Sequence, residues 1–141
     1  MIERLILVGV LALVGVVAYH LFSRYHLKRA AGNAQTDPLL QALKPGIPAI
    51  LYFTTPTCIP CRTQQQPALA RLQAELGDGI QIIQIDATQD ADAAERWGVF
   101  SAPTTFLLDI QRQVREVNYG VADTPKLKRQ LDALRVASDI I

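Results

Sequence analysis

At 141 residues, half of them apolar and 19% charged, the chain has the length for one compact domain and a short appendage. Its formal charge of +1 is split unevenly: residues 1–36 carry Arg4, Arg24, Lys28 and Arg29 against Glu3, and the remainder holds ten basic and twelve acidic residues. A mildly acidic domain with no basic stripe argues against nucleic acid as a partner, and two cysteines three apart are not the framework of a secreted mini-protein.

The first element is an apolar run. Leu5 to Phe22 reads LILVGVLALVGVVAYHLF, and as a helix it spans about 27 Å, close to the hydrocarbon thickness of a bilayer. A secretory signal has a shorter apolar stretch with small residues soon after it; here Arg24, Lys28 and Arg29 precede Ala30-Ala31-Gly32. A core helix beside so small a domain would not be apolar all round. The run therefore reads as a membrane anchor touching lipid through residues 5–22, with Tyr19, Phe22 and Tyr25 as an aromatic belt. Three basic residues after the run place the rest of the chain in the cytoplasm; an extracytoplasmic domain is the alternative. The expected division is an anchor and basic flank over 1–29, a linker over 30–36 and a soluble domain over 37–141.

The soluble part alternates strand and helix signals. Asp37-Pro38 offers a cap and a first-turn proline for a short helix to about Leu43. Pro48 to Phe53 is apolar without alternation, as in a strand buried on both faces. A helix is expected from about Cys58 to Leu76, with Leu69, Leu72 and Leu76 on one face, a kink at Pro67 and a stop at Gly77. Ile80–Asp86 is the next strand, and Asp90–Trp97 a short helix closed by Gly98. Thr104–Leu108 and Gln113–Tyr119 are strands joined by a turn over Asp109–Arg112. Asp123-Thr124-Pro125 opens a last helix with Leu127, Leu131 and Leu134 inward. A βαβ half, an antiparallel hairpin and a closing helix make an α/β layered fold.

The two cysteines fall where the first strand passes into a helix. Free amide groups at a helix start favour negative charge, so Cys58 is the candidate nucleophile. Cys61, one turn on, is placed to attack a mixed disulfide at Cys58 and release the reduced partner. Pro60 between them fixes the first helical turn. The rival readings of CxxC are weaker. Zinc needs four ligands, and the only histidines are His20 and His26, in or beside the apolar run. A disulfide closing so short a loop restrains the unfolded chain little. Trp97 reads as a packing residue, and Gln64, Gln65 and Gln66 as a solvated helix face.

The run Thr57-Cys58-Ile59-Pro60-Cys61-Arg62 after a buried strand is similar to the thioredoxin active site. Some forty residues on, Ser101-Ala102-Pro103-Thr104-Thr105-Phe106-Leu107 resembles that family's cis-proline loop and following strand, and Gly120 matches its late glycine. The resemblance covers about residues 37–136. It implies a thioredoxin-like fold, a central mixed sheet flanked by helices, here preceded by one transmembrane helix. It also implies a cis bond before Pro103, packing of that loop against the CxxC, and a substrate-binding surface of Thr57, Ile59, Pro60, Ala102 and Pro103 around the catalytic pair Cys58 and Cys61. Protein disulfides would be the substrates and an upstream thiol reductant the electron source, with no cofactor and no metal. The sequence departs from the family at Thr57, where Trp is usual, and at Ile59, where Gly is usual. It departs again at Tyr52, where the family has a buried acid, and at Pro67, one position later than usual. A redox-inert binding module on the same fold, or an extracytoplasmic protein maturing exported or cofactor-carrying proteins, are the alternatives to a disulfide reductase.

Overall fold

The computed structural model describes residues 1–32 and 37–140; the side chains of residues 23 and 26–32, Lys28 and Arg29 of the basic flank among them, lie outside it. Helix α1 runs over Ile2–Gly32, so Ala30 to Gly32 of the expected linker continue the helix, and residues 33–36 lie outside the described part. Its segment Ile2–Phe22 is long and apolar enough to cross a membrane, a test that a signal sequence also passes, and none of it is buried against the rest of the chain. That exposure rules out a core helix.

The domain is built on a four-stranded sheet of β1 (Ala49–Thr54), β2 (Gln81–Asp86), β3 (Thr104–Leu108) and β4 (Val114–Tyr119), ordered β2-β1-β3-β4. β1 pairs parallel with β2, and antiparallel with β3, which pairs antiparallel with β4. All six residues of β1 are buried, as its unbroken apolar run predicts for a central strand. Successive side chains point to opposite faces, and each face has its own core. Ala49, Leu51 and Phe53 join Leu40, Ala93 and Trp97 under α2 (Pro38–Gln41) and α4 (Ala91–Arg96). Ile50 and Tyr52 join Leu69, Leu72, Leu127 and Leu131 under α3 (Gln66–Leu76) and α5 (Thr124–Asp139). The result is a mixed sheet between two helical layers, the thioredoxin-like α/β fold.

Local chemistry sets the element ends. Asp37, Asp90 and Asp123 cap α2, α4 and α5, each accepting a hydrogen bond from a backbone N–H of the first turn, which satisfies an otherwise orphaned donor. Gly77, at φ 51°, ends α3. In the β3–β4 turn the buried Asp109 carboxylate accepts from the Gln111 and Gln113 amides and from Arg115.

The expected single helix from Cys58 to Leu76 differs in one respect. Ile59 and Pro60 are helical, Cys61–Gln65 forms a wide π turn in which the Gln66 N–H donates to the Cys61 carbonyl, and only then does α3 begin, with Pro67 in its first turn. Pro67 has no N–H to donate, and in a regular helix its ring would press on the carbonyl four residues back. The wide turn inserts one residue at that point. Where the sequence predicts a kink, the backbone changes register instead, and this accommodates the proline that stands one position late.

Candidate active site

Cys58 and Cys61 are disulfide-bonded, with Cα atoms 5.3 Å apart. Cys58 sits at the junction where β1 gives way, through the turn at Pro56 and Thr57, to the helical turn at Ile59. Its amide donates to the Thr55 carbonyl at 3.2 Å and its carbonyl accepts from Arg62 at 3.4 Å. The Cys61 N–H donates to Cys58 Sγ at 3.2 Å. Cys58 thus stands where an N-cap residue stands, with sulfur in the place of the usual capping oxygen. A thiolate accepts that bond more strongly than a thiol, and the helix start adds its positive end. Both effects favour ionised Cys58 when the pair is reduced.

The sulfurs differ in access. Cys61 is fully buried, in the core cluster with Tyr52, Leu72, Leu107 and Ala122; Cys58 is half-buried and packs on that cluster's edge, as does Ala102. An incoming sulfur meets Cys58 first, and Cys61 lies behind it.

The Ala102–Pro103 peptide bond is cis. Pro103 is buried, and its carbonyl accepts from the Gly120 amide at 2.8 Å. Gly120 has φ 93°, a conformation that glycine adopts at no steric cost. Thr57, Cys58, Ile59, Pro60 and Ala102 all line one cleft of about 590 Å³. The structure therefore brings five of the seven sequence-selected residues to one surface, whereas Cys61 and Pro103, each bonded in the chain or through the disulfide to a lining residue, are buried behind it. A smaller cleft of about 290 Å³, lined by Gly46 and Pro48 ahead of β1 and by Arg135 of α5, contains neither cysteine. Among the described residues, no group of three or more His, Cys, Asp and Glu is placed to hold a metal ion.

Two residues escaped the sequence reading. Gln65, expected on a solvated face with Gln64 and Gln66, is fully buried. Its Nε2 donates to the Ala122 carbonyl at 3.0 Å and its Oε1 accepts from the Ala122 amide at 2.8 Å. The wide turn brings Gln65 inward, and the amide clamps the β4–α5 connection to the CxxC helix. Three consecutive glutamines read as a polar surface, and the late proline is the only signal that the register slips. Phe100 is the other: it is 86% exposed on the wall of the cleft that holds Cys58.

Tyr52, in the place where the resemblance puts a buried acid, is 1% exposed. Thr54 and Gln66 face its hydroxyl, but among the described residues none makes a hydrogen bond to it. Burial pushes its pKa above the ordinary phenol value, so the group stays protonated at neutral pH. It is a proton donor there and no base.

The fold and the placement of the dithiol define a protein of the thiol–disulfide oxidoreductase kind. The thioredoxin family profile matches residues 35–133, and the chain belongs to that family. Thioredoxin of Bacillus subtilis is 38% identical over 56 residues, which are 40% of this chain and 53% of that one. The thioredoxin-like protein YneN of the same organism is 24% identical over 85% of this chain and 91% of its own length. Among solved structures, a thioredoxin-2 described as a component of the malaria parasite's protein secretion machinery superposes with a TM-score of 0.61 at 20% identity, covering 67% of this chain and 90% of that one. Chloroplastic thioredoxin z gives 0.59 at 15% identity, over 64% and 80%. At these identities the structural matches speak for the fold.

Proposed function

We propose that this chain is a membrane-anchored disulfide reductase acting on protein cystines, with Cys58 as nucleophile and Cys61 as resolving thiol. The observation that carries the reading is the capping sulfur: Cys58 Sγ accepts the Cys61 N–H at a helix start, with Cys61 buried behind it. In the reduced protein the Cys58 thiolate attacks one sulfur of a substrate cystine. A Cys58–substrate disulfide forms and the other substrate sulfur leaves as thiolate. Cys61, losing its proton, attacks Cys58 Sγ, which closes the intramolecular disulfide and expels the second substrate thiolate. Two electrons pass to the substrate, and an upstream thiol reductant returns them. Thr57, Ile59, Pro60, Ala102 and Pro103 form the surface that receives the substrate chain.

The apolar segment 5–22 is read as the anchor, and the basic residues after it put the domain in the cytoplasm. That compartment keeps thiols reduced, which supports the reducing direction. Two measurements test these points. Reduction of insulin with dithiothreitol as donor is expected for the parent; no acceleration over dithiothreitol alone contradicts the enzyme and supports a redox-inert binding module. A reporter fused after Ile141 is expected to give green fluorescence; alkaline phosphatase activity there instead places the domain on the extracytoplasmic side.

A further inference from the structure

We propose that Gln65 is a positioning residue for polypeptide substrates: its side-chain amide fixes the CxxC helix against the run of chain that holds the Pro103 loop, and so sets the spacing between Cys58 and Ala102. The proposal rests on the disulfide-exchange reading above and adds to it a residue outside both the CxxC and the proline loop. Cys58 and Ala102 belong to segments far apart in the chain, and a continuous path of bonds joins them through Gln65. At its near end, Gln65 closes the wide turn Cys61–Gln65, in which the Gln66 N–H donates to the Cys61 carbonyl. In its middle, Gln65 Nε2 donates to the Ala122 carbonyl at 3.0 Å and Oε1 accepts from the Ala122 N–H at 2.8 Å. At its far end, Gly120, two residues before Ala122, donates its N–H to the Pro103 carbonyl at 2.8 Å, and Pro103 is joined to Ala102 by the cis bond.

Gln65 and Ala122 are both fully buried. A two-bond pair away from water is held in one geometry, because either partner would be left unsatisfied if the other moved. A separate bond shows what the pair is not needed for. The Thr124 hydroxyl donates to the Ala68 carbonyl at 3.0 Å, so the start of α5 stays tied to α3 when Gln65 is changed. The Gln65 pair therefore acts on Gly120 to Ala122, the run that reaches the Pro103 loop. A small disulfide needs only Cys58. A polypeptide cystine must also fit against Ala102, so a change of spacing reaches the polypeptide alone, and misplacement by about 1 Å suffices to slow a reaction up to about 100-fold.

The test uses the full chain in lipid nanodiscs. Gln65→Met removes both bonds at similar length, and Gln65→Asn, shorter by a methylene, does not span them; the second serves where the first does not fold, which Trp97 fluorescence reports. Asp37→Ala, a change on the other face of the sheet, controls for general loosening. Insulin reduction with dithiothreitol as donor gives KM and kcat. Release of thionitrobenzoate from 5,5′-dithiobis(2-nitrobenzoate) by the reduced chain, freed of reductant, gives the rate with a small disulfide. In either Gln65 variant the insulin KM is expected to rise about fivefold or more, with kcat and the small-disulfide rate within about twofold of the parent, as for a lost positioning contact. Asp37→Ala is expected to leave the insulin KM at the parent value. An unchanged insulin KM in a folded Gln65 variant overturns the proposal. So does an equal rise in Asp37→Ala, or a small-disulfide rate that falls in step with insulin reduction, which would place the effect on Cys58 itself. Failure of both Gln65 variants to fold assigns the residue to stability and overturns it as well. A parent that leaves insulin untouched overturns the exchange reading, and the proposal with it.

Discussion

On one face of the sheet, Phe106 meets Phe53 and Trp97 edge-on, with ring centroids 5.6 and 5.1 Å apart. The single polar atom that Trp97 brings is used, since its indole N–H donates to the buried Asp37 carboxylate at 3.0 Å. Arg96 holds the same carboxylate at 3.0 Å, and the Leu39 amide donates to it at 2.9 Å. On the other face, Tyr52 carries a buried hydroxyl with no protein partner, in the same cluster as Cys61. Both faces are packed with Leu and Ile, and Phe53, Phe106 and Trp97 lie on the first alone; there the buried polar atoms meet around one carboxylate, and the hydroxyl on the second face has no bonded partner among the described residues. Buried polar groups are as a rule satisfied; among the described residues the Tyr52 hydroxyl is the exception, and it lies in the cluster that holds Cys61.

Substitutions should divide along that line. The largest effect is expected from Cys58→Ser, which removes the nucleophile and should drop insulin reduction to the rate of dithiothreitol alone. Cys58 is at the surface edge of its cluster, so the Trp97 fluorescence transition in urea should move little. If Cys58→Ser retains measurable exchange, the redox role of this face is wrongly assigned.

Stability is the next scale. Asp37→Ala deletes a cap and leaves the Trp97 N–H buried without an acceptor, a loss of about 2–3 kcal/mol. Gln65→Leu strands the Ala122 amide and carbonyl together, for a similar cost of about 2–3 kcal/mol. Both should lower the urea midpoint with the slope unchanged. Their activities should differ: exchange per folded molecule should survive Asp37→Ala but fall with Gln65→Leu, because Gln65 ties the connection after Gly120 to the CxxC helix. Equal activities in the two variants would erase the distinction between the faces.

Acid should weaken the structural face. Burial pushes the Asp37 carboxyl up, but hydrogen bonds from Arg96, Leu39 and Trp97 and the Arg96 charge outweigh it, and its pKa lies below the ordinary value. A depressed carboxyl contributes stability that is complete above its unfolded pKa of about 3.9 and is lost as pH falls through the lower folded value. The urea midpoint should therefore drop below about pH 4 in the parent, and drop less in Asp37→Asn. The same slope in both would mean that Asp37 does not carry this acid dependence.

The smallest effect is expected at Tyr52. Removing a hydroxyl that has no protein partner breaks no bond, so Tyr52→Phe should change stability by less than about 1 kcal/mol in either direction. A loss of about 2 kcal/mol or more would show a bonded hydroxyl and remove the contrast with Trp97.

Much of this was legible in the chain. The unbroken run through Phe53 marked the central strand, Thr104–Leu108 was bounded by Pro103 and Asp109, and three Asp caps announced their helices. The pairing of Cys58 with Cys61 is readable from their spacing after a buried strand, and the cis bond before Pro103 follows from the resemblance to thioredoxin. The wide turn was not legible: apolar periodicity does not register one extra residue in a run of three glutamines, and inward Gln65 is set by tertiary packing. Phe100 was missed for the opposite reason. A lone Phe between Val99 and Ser101 reads as core, and only the fold shows it facing water. The Asp37–Trp97 bond joins residues sixty apart, beyond any local pattern.

The central claim is the division of labour between an accessible and a buried sulfur. It is tested by trapping: reduced Cys61→Ser and Cys58→Ser chains are each incubated with a protein disulfide substrate and resolved without reductant. Cys61→Ser should accumulate a mixed disulfide through Cys58, since nothing remains to resolve it, and Cys58→Ser should accumulate none, because Cys61 is sealed in the core. Equal trapping by both variants, or trapping through Cys61 alone, would contradict the account.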